Sequence, residues 1–223
     1  MIIGVSGYSG SGKDTIGYMI QYLIANYLYP KDPIAVPIEK IVADPLEYES
    51  TLEDSSGWEI RKFAGKLKDI ASHLTGIDYD DFEDQEFKKT NLPTEWWTTC
   101  DEGYVPMTVR EFLQKLGTDA LRNGLHENVW VNALLADYIK DEYDDFPNWI
   151  ITDVRFPNEA MAIKKKDGII IRVERPGVSA INTHPSETGL DGWNFDYKIA
   201  NVGDLLDLKS TVISILKHSK LIK

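Results

Sequence analysis

Cysteine is almost absent: Cys100 is the single one in 223 residues. That excludes an intramolecular disulfide and a Cys-rich zinc site, and an unremarkable thiol is the expectation for Cys100. No apolar run approaches the roughly 20 residues that a membrane-spanning helix needs. The opening MIIGVSG has no basic residue ahead of its apolar stretch, so a signal peptide is not expected and the chain reads as soluble and cytoplasmic. Positive charge is in deficit: Lys plus Arg number 24 against 36 Asp plus Glu, a net charge of −12. Such a surface repels polyanions, so duplex nucleic acid is a poor partner, while a local basic pocket for a small phosphorylated ligand is compatible with it. Hydrophobic residues at 43% and charged residues at 27% are ordinary for a globular chain and rule out general disorder, collagen and coiled coil.

The apolar pattern alternates between short runs and helical stripes. Met1–Ser6 reads as a buried strand entering a glycine-rich turn. From Lys13, apolar residues recur at helical spacing until Pro30 and Pro33. Asp44–Gly57 is acidic and reads as a turn-rich surface excursion. Trp58–Phe63 is a second strand, and Leu67, Ile70, Ala71 and Leu74 form a helical stripe that Gly76 ends. Asp78–Gly103 reads as irregular and mobile. Thr108 opens a helix, with Glu111 three residues on as in a capping box, and Val109, Phe112, Leu113, Leu116 and Leu121 on one face. Trp130–Tyr138 continues as another helix. Trp149–Thr152 is a buried strand ending at Asp153, and Pro157, Asn158 and Glu159 open a helix that ends near Lys164–Lys166. Gly168–Val173 and the weaker Asp196–Ala200 are strands, and Leu205–Leu216 is a closing amphipathic helix. Strand and helix in alternation imply an α/β fold, a parallel sheet covered on both faces.

The most specific signal is Gly7-Tyr8-Ser9-Gly10-Ser11-Gly12-Lys13-Asp14-Thr15, which fits G-x-x-x-x-G-K between an apolar strand and an amphipathic helix. Glycines let the backbone wrap an anion with inward N–H groups, the helix adds its positive dipole end, and Lys13 supplies a point charge for the β- and γ-phosphates. The usual pattern has Ser or Thr directly after the lysine as magnesium ligand; here that position is Asp14. Asp14 could bind Mg²⁺ through water or face outward, and Thr15 could reach the α-phosphate or the metal.

Asp153 ends an apolar strand where a nucleotide kinase places a carboxylate for Mg²⁺, although such an Asp is also a common helix cap. Arg155 follows it, and Arg172 and Arg175 close the next strand. Ligands in open α/β folds bind outside the carboxyl ends of the strands. Converging arginines there, in so acidic a chain, point to an anion and suit the charge that phosphoryl transfer spreads over equatorial oxygens. Lys66 and Lys68 open a helix, where cations are electrostatically disfavoured, which suggests an anion partner as readily as solvated lysines. His184, Ser186 and Glu187 lie in a segment rich in Gly, Pro and Asn. Ser186 lacks a G-x-S-x-G turn, so a serine hydrolase fails and a closing loop over phosphates fits better. His73 reads as packed or exposed, and His126 and His218 have no recognisable spacing.

With these residues in hand, the chain resembles the bacteriophage-type deoxynucleoside monophosphate kinases, within the P-loop nucleoside monophosphate kinase group. The likeness runs through GYSGSGKDT (7–15), FAGKLKDIASHLTG (63–76), REFLQKLGTDALRNGLHENVWVNAL (110–134), ITDVRFPNEA (151–160), HPSE (184–187) and DYKIANVGDLLDL (196–208). It implies a three-layer P-loop kinase sandwich with a core of about 1–63 and 149–223. It also implies an enlarged helical monophosphate-binding insert of about 64–148 and a short lid of about 177–193. The implied reaction is transfer of the ATP γ-phosphoryl to a deoxynucleoside 5′-monophosphate, with Mg²⁺, in the host cytoplasm if the chain is phage-encoded, with a homodimer as a candidate assembly. By resemblance, Gly7 to Thr15 hold ATP. On its strand-end position Arg175 joins them, and Lys13 from the loop, with Asp153, Arg155 and Arg172 from the strand ends, serves the transfer. Thr15 and Asp153 are the candidate metal ligands. Lys66, Lys68, Arg110 and Arg122 are candidates for the acceptor phosphate, and Trp130 for base or sugar packing. A dephospho-coenzyme A kinase-like enzyme and a non-catalytic ATP-binding protein are the competing readings.

Overall fold

A computed structural model describes residues 1–101, 103–180 and 185–223. They form two compact units, one of Met1–Lys62 with Tyr138–Lys223 and one of Phe63–Asp137. The chain runs through β1 (Ile2–Ser6), α1 (Lys13–Leu28), α2 (Ile38–Ala43), α3 (Pro45–Ser56) and β2 (Trp58–Arg61). The second unit follows with α4 (Phe63–Thr75), β3 (Thr98–Cys100), β4 (Gly103–Val105), α5 (Val109–Gln114) and α6 (Val129–Leu135). The first unit then resumes with β5 (Asn148–Val154), α7 (Pro157–Lys164), β6 (Ile169–Glu174), α8 (Pro185–Thr188), β7 (Tyr197–Ala200) and α9 (Leu205–His218).

In the first unit the strands form a parallel sheet in the order β2-β5-β1-β6-β7. β1 is central, and all five of its residues are buried, so it reads as an unbroken apolar run rather than an alternation. Its two faces pack against different helices. Ile3 and Val5 join a core with Ile16, Met19 and Ile20 of α1 and Val212 and Leu216 of α9. Gly4 looks the other way, where a Cβ would meet Ile163 Cδ1 of α7 at 2.8 Å. α1 lies equally close to β5, since a Cβ on Gly17 would stand 2.7 Å from Thr152 Cγ2. Gly4 lets α7, and Gly17 lets α1, sit directly on the sheet, and the second approach fixes the helix that follows the glycine loop. The result is an α/β sandwich of the P-loop kinase kind.

The acidic stretch from Asp44 to Gly57 is not a turn-rich excursion. It is helical in α3, with Pro45 in the first turn and Gly57 at φ 68° past the end. Ile41 of α2 and Leu52 of α3 are fully buried in the main core. One narrow apolar edge suffices when the remaining faces are solvated.

The second unit has its own core of Ala71, Phe82, Leu92, Val109 and Phe112. Asp78–Gly103, expected to be irregular, contains three short 3₁₀ turns, and β3 pairs antiparallel with β4. Phe82 and Leu92 anchor it from inside, and Trp97 Nε1 donates to Leu92 O at 2.8 Å. Past α5 the helix widens to π geometry over Lys115–Asn123, which moves Arg122, not Leu121, to a buried position. The helix of Trp130 starts at Val129 and stops at Leu135. Tyr138 belongs to the first unit, where it stacks on Phe146 and meets Trp149 edge-on.

Candidate active site

The glycine loop joins the buried end of β1 to α1. Gly7, Gly10 and Gly12 adopt φ of 157°, 79° and 100°. The last two lie in the left-handed region that other residues resist. At Gly7 a Cβ would strike Ser11 Oγ at 2.5 Å and Val173 O at 2.6 Å, whereas at Gly10 it would meet nothing within 4 Å. The loop is thus tight against the sheet on one side and open on the other. Gly12 caps α1 with no side-chain acceptor, so the first-turn amides are available to an anion at the positive end of the helix dipole.

Lys13 is buried, and its Nζ donates to Tyr8 O at 2.9 Å. Burial, with the Arg155 charge second, lowers its pKa from 10.5 to about 8, against the pull of Asp14, Glu187 and Asp153. Asn201, just past β7, braces the loop from the side, its Nδ2 donating to Ser11 O at 2.9 Å. Ser11 Oγ is buried with no hydrogen-bond partner. An orphaned hydroxyl inside a cradle with one open wall suits a polyphosphate that would supply the missing acceptor.

Asp14 is exposed at the start of α1. Its Oδ1 accepts the Thr152 hydroxyl at 2.6 Å and lies 3.7 Å from Lys62 Nζ. Asp153 is buried one residue on in β5, and Thr15 is half-buried in the first turn of α1. No group of three or more His, Cys, Asp or Glu able to cage a metal exists among the described residues. Two carboxylates and a hydroxyl at one end of the sheet suit Mg²⁺, which keeps much of its water and takes few protein ligands.

The arginines differ from one another. Arg155 Nη1 donates to Ser186 O at 3.0 Å and Glu187 Oε1 at 2.8 Å, and its side chain is 33% exposed. Arg172, expected among the converging cations, is only 7% exposed. Its Nη1 donates to Ser6 Oγ at 3.2 Å, and its guanidinium lies over the Tyr8 and Phe195 rings at 4.6 and 5.5 Å. Tyr8 OH donates to Asp191 at 2.9 Å, a bond that raises the phenol pKa. Arg172 therefore braces the loop from below in this structure. Arg175 is exposed, with Nη1 3.5 Å from Gly10 O at the open side. Of the expected lid, residues 181–184, His184 included, lie outside the described residues; Ser186 and Glu187 form α8.

The acceptor-side candidates all fall in the second unit. Lys66 pairs with Asp137 at 3.2 Å, and Lys68 is buried against Glu83. Arg110 Nη2 donates to Gln85 Oε1 at 3.1 Å, and Arg122 Nη1 donates to Glu127 O at 3.1 Å. Trp130 is 5% exposed and its indole N–H is spent on Gly117 O at 2.8 Å. Its ring is packing within its unit here, and no open face remains for a base. Sequence reasoning did not single out Asn201, Thr152 or Asp191. Their partners lie 190, 138 and 183 residues away, with no local signature.

A glycine cradle with a buried lysine, set at the carboxyl ends of a parallel sheet, is what a family assignment has to match. The family model for deoxynucleotide monophosphate kinase matches residues 78–212. The chain belongs to that family. It is 31% identical over 229 positions to a putative deoxynucleotide monophosphate kinase of Acanthamoeba polyphaga mimivirus, covering 98% of this chain and 97% of the relative. It is 27% identical to the deoxynucleotide monophosphate kinase of Enterobacteria phage T4, covering 97% and 98%. Identity to the deoxynucleoside-5′-monophosphate kinase of Escherichia phage T5 is 26%, covering 92% and 90%. The family match spans Arg110, Asp153, Arg155 and Arg172 and begins after the glycine loop, so loop and match are independent signals. Among the described residues no helix is long and apolar enough to cross a membrane.

Proposed function

We propose that the chain transfers the γ-phosphoryl group of ATP to a deoxynucleoside 5′-monophosphate. An oxygen of the acceptor phosphate bonds to the γ-phosphorus as the bond to the bridging oxygen breaks, leaving ADP and a deoxynucleoside diphosphate. The observation that most supports this is the open-sided glycine cradle with Lys13 inside it, in a chain of this family.

The loop amides and Lys13 hold the triphosphate tail, and Arg175 sits at its open edge. Arg155, with one edge exposed, meets the transferred group, while Arg172 adds charge from beneath the loop. Thr15 and Asp153, with Asp14 next to Thr15 in the sequence, would hold Mg²⁺, which would neutralise charge on the phosphate oxygens. Arg110, whose partner Gln85 is neutral, is the leading cation for the acceptor phosphate; Lys66, Lys68 and Arg122 are held by groups of their own unit and back it up, and Trp130 shapes that unit from within. Little covalent chemistry falls to the protein, which aligns the two phosphates, keeps water out and spreads positive charge.

The test is a coupled assay of ADP release over the four deoxynucleoside monophosphates. Turnover with at least one of them is expected. ADP release with dephospho-coenzyme A and none of the monophosphates would replace this reading with the competing kinase, and nucleotide binding without any acceptor-dependent turnover would replace it with a non-catalytic role.

A further inference from the structure

Arg155 is gripped from two sides. Its main chain is set by Glu159, whose Oε2 accepts the N–H groups of Arg155 and Phe156 at 2.8 and 3.1 Å. Its guanidinium is set by α8, through Ser186 O and Glu187 Oε1. The Glu187 side chain is only 2% exposed, and its Oε2 is buried with no hydrogen-bond partner. A carboxylate buried for packing alone is unfavourable, since a glutamine or methionine would fill the same space without the desolvation cost. Gly189 shows that the approach is built in. A Cβ there would stand 2.8 Å from Arg155 O and 2.7 Å from Pro185 O, so any other residue would push the α8 turn off the end of β5.

We infer that Glu187 is a positioning residue, fixing the Arg155 guanidinium for phosphoryl transfer, and that Gly189 permits the contact. An arginine on a free stem samples many rotamers. One held by a carboxylate and a carbonyl presents its remaining N–H groups in one orientation, and catalysis depends on that orientation more than on binding does. The inference rests on the phosphoryl-transfer reading above, with Arg155 at the transferred group.

The experiment is a double-mutant cycle. Glu187→Ala is expected to lower kcat about thirtyfold with KM for ATP and acceptor changed less than about threefold. Glu187→Gln keeps an acceptor oxygen and recovers part of the loss. In an Arg155→Ala background, Glu187→Ala costs less than about twofold more, because the residue it acts through is gone. Gly189→Ala reproduces the kcat loss without removing a charge, and serves if Glu187→Ala does not fold. A full Glu187→Ala effect in the Arg155→Ala background, or an effect confined to KM, overturns the inference. If the wild type turns over no monophosphate, the preceding reading fails by itself. The grip is then tested by ¹⁵N relaxation of the Arg155 guanidinium: hindered rotation in the wild type, relieved in Glu187→Ala, supports it, and free rotation in both overturns it.

Discussion

In the unit that holds the glycine loop, Lys13 sits on a backbone carbonyl and Arg175 reaches no nearer than 3.5 Å to another. In Phe63–Asp137, by contrast, Lys66 faces Asp137, Lys68 faces Glu83 and Arg122 is tied to Glu127 O. One region keeps Lys13 off any close carboxylate partner and preorganises amides around it. The other sets carboxylates against Lys66 and Lys68 and a carbonyl against Arg122. A phosphate entering the first displaces a carbonyl, whereas a phosphate entering the second competes with a carboxylate. The contrast teaches that a polyphosphate site can be held ready by backbone geometry, while a site made of side-chain charges costs desolvation unless they are paired.

Lys13→Met tests the first half of that contrast most severely. It should cut kcat/KM for ATP by about a thousandfold, the scale for losing a donor to a developing anion. It should leave the thermal midpoint unchanged or raised, because a buried ammonium is replaced by an apolar chain of similar length. A lowered midpoint in a thermal melt would mean that the lysine is structural.

On the acceptor side, Arg110 is the sharper probe, since its partner Gln85 is neutral. Arg110→Ala should raise KM for the monophosphate about thirtyfold, the loss of one charge-assisted hydrogen bond, with KM for ATP little changed. Lys68→Ala should instead act on stability, because it removes the buried ammonium that packs against Glu83. If the two variants exchange phenotypes in initial-rate and melting measurements, the assignment of free and neutralised cations is reversed.

A pH profile separates binding from folding at Lys13, whose pKa is about 8 because of burial first and Arg155 second. Above pH 8 the free enzyme loses that charge, so kcat/KM for ATP should fall about tenfold per pH unit. Stability should move the other way. The folded-state pKa lies below the unfolded value of 10.5, so the unfolded chain binds the extra proton between the two, and this lysine's contribution rises with pH across that window. Lys13→Met should flatten both limbs.

The same contrast explains what could be read without coordinates. The loop, the helix after it, β5 with Asp153 and Arg155, and the Thr108 cap were legible because each rests on neighbours within a few residues. α3 was missed although Pro45 and Gly57 punctuate it, because its acidic faces mask a buried edge as narrow as Leu52. The π segment was invisible because a 3.6-residue period places Leu121, not Arg122, on the core side. The brace on Arg172, made by Tyr8 and Phe195, depends on the sheet bringing β1 and β6 together, which no local pattern encodes.

The smallest effect concerns the second unit alone. Thr108 Oγ1 accepts the Glu111 amide at 3.2 Å and Glu111 Oε2 accepts the Thr108 amide at 2.8 Å. The Thr108 amide, with the Thr108 hydroxyl second, holds the Glu111 carboxyl below its usual pKa of 4.5, so this stabilisation is present above that value and is lost as pH falls through the lower one. The cap is tied to the preceding segment as well, through Val109 N to Thr90 O at 3.0 Å and Leu92 N to Met107 O at 2.9 Å. Thr108→Ala should therefore cost about 1 kcal/mol, visible as a shift in urea midpoint at neutral pH that shrinks once acid protonates Glu111. Hydrogen exchange should quicken in α5 and in residues 90–92 and stay unchanged in β1 and β5. Exchange that quickens equally in both units would show that Phe63–Asp137 does not open on its own, and the two regions would then have to be treated as one cooperative body.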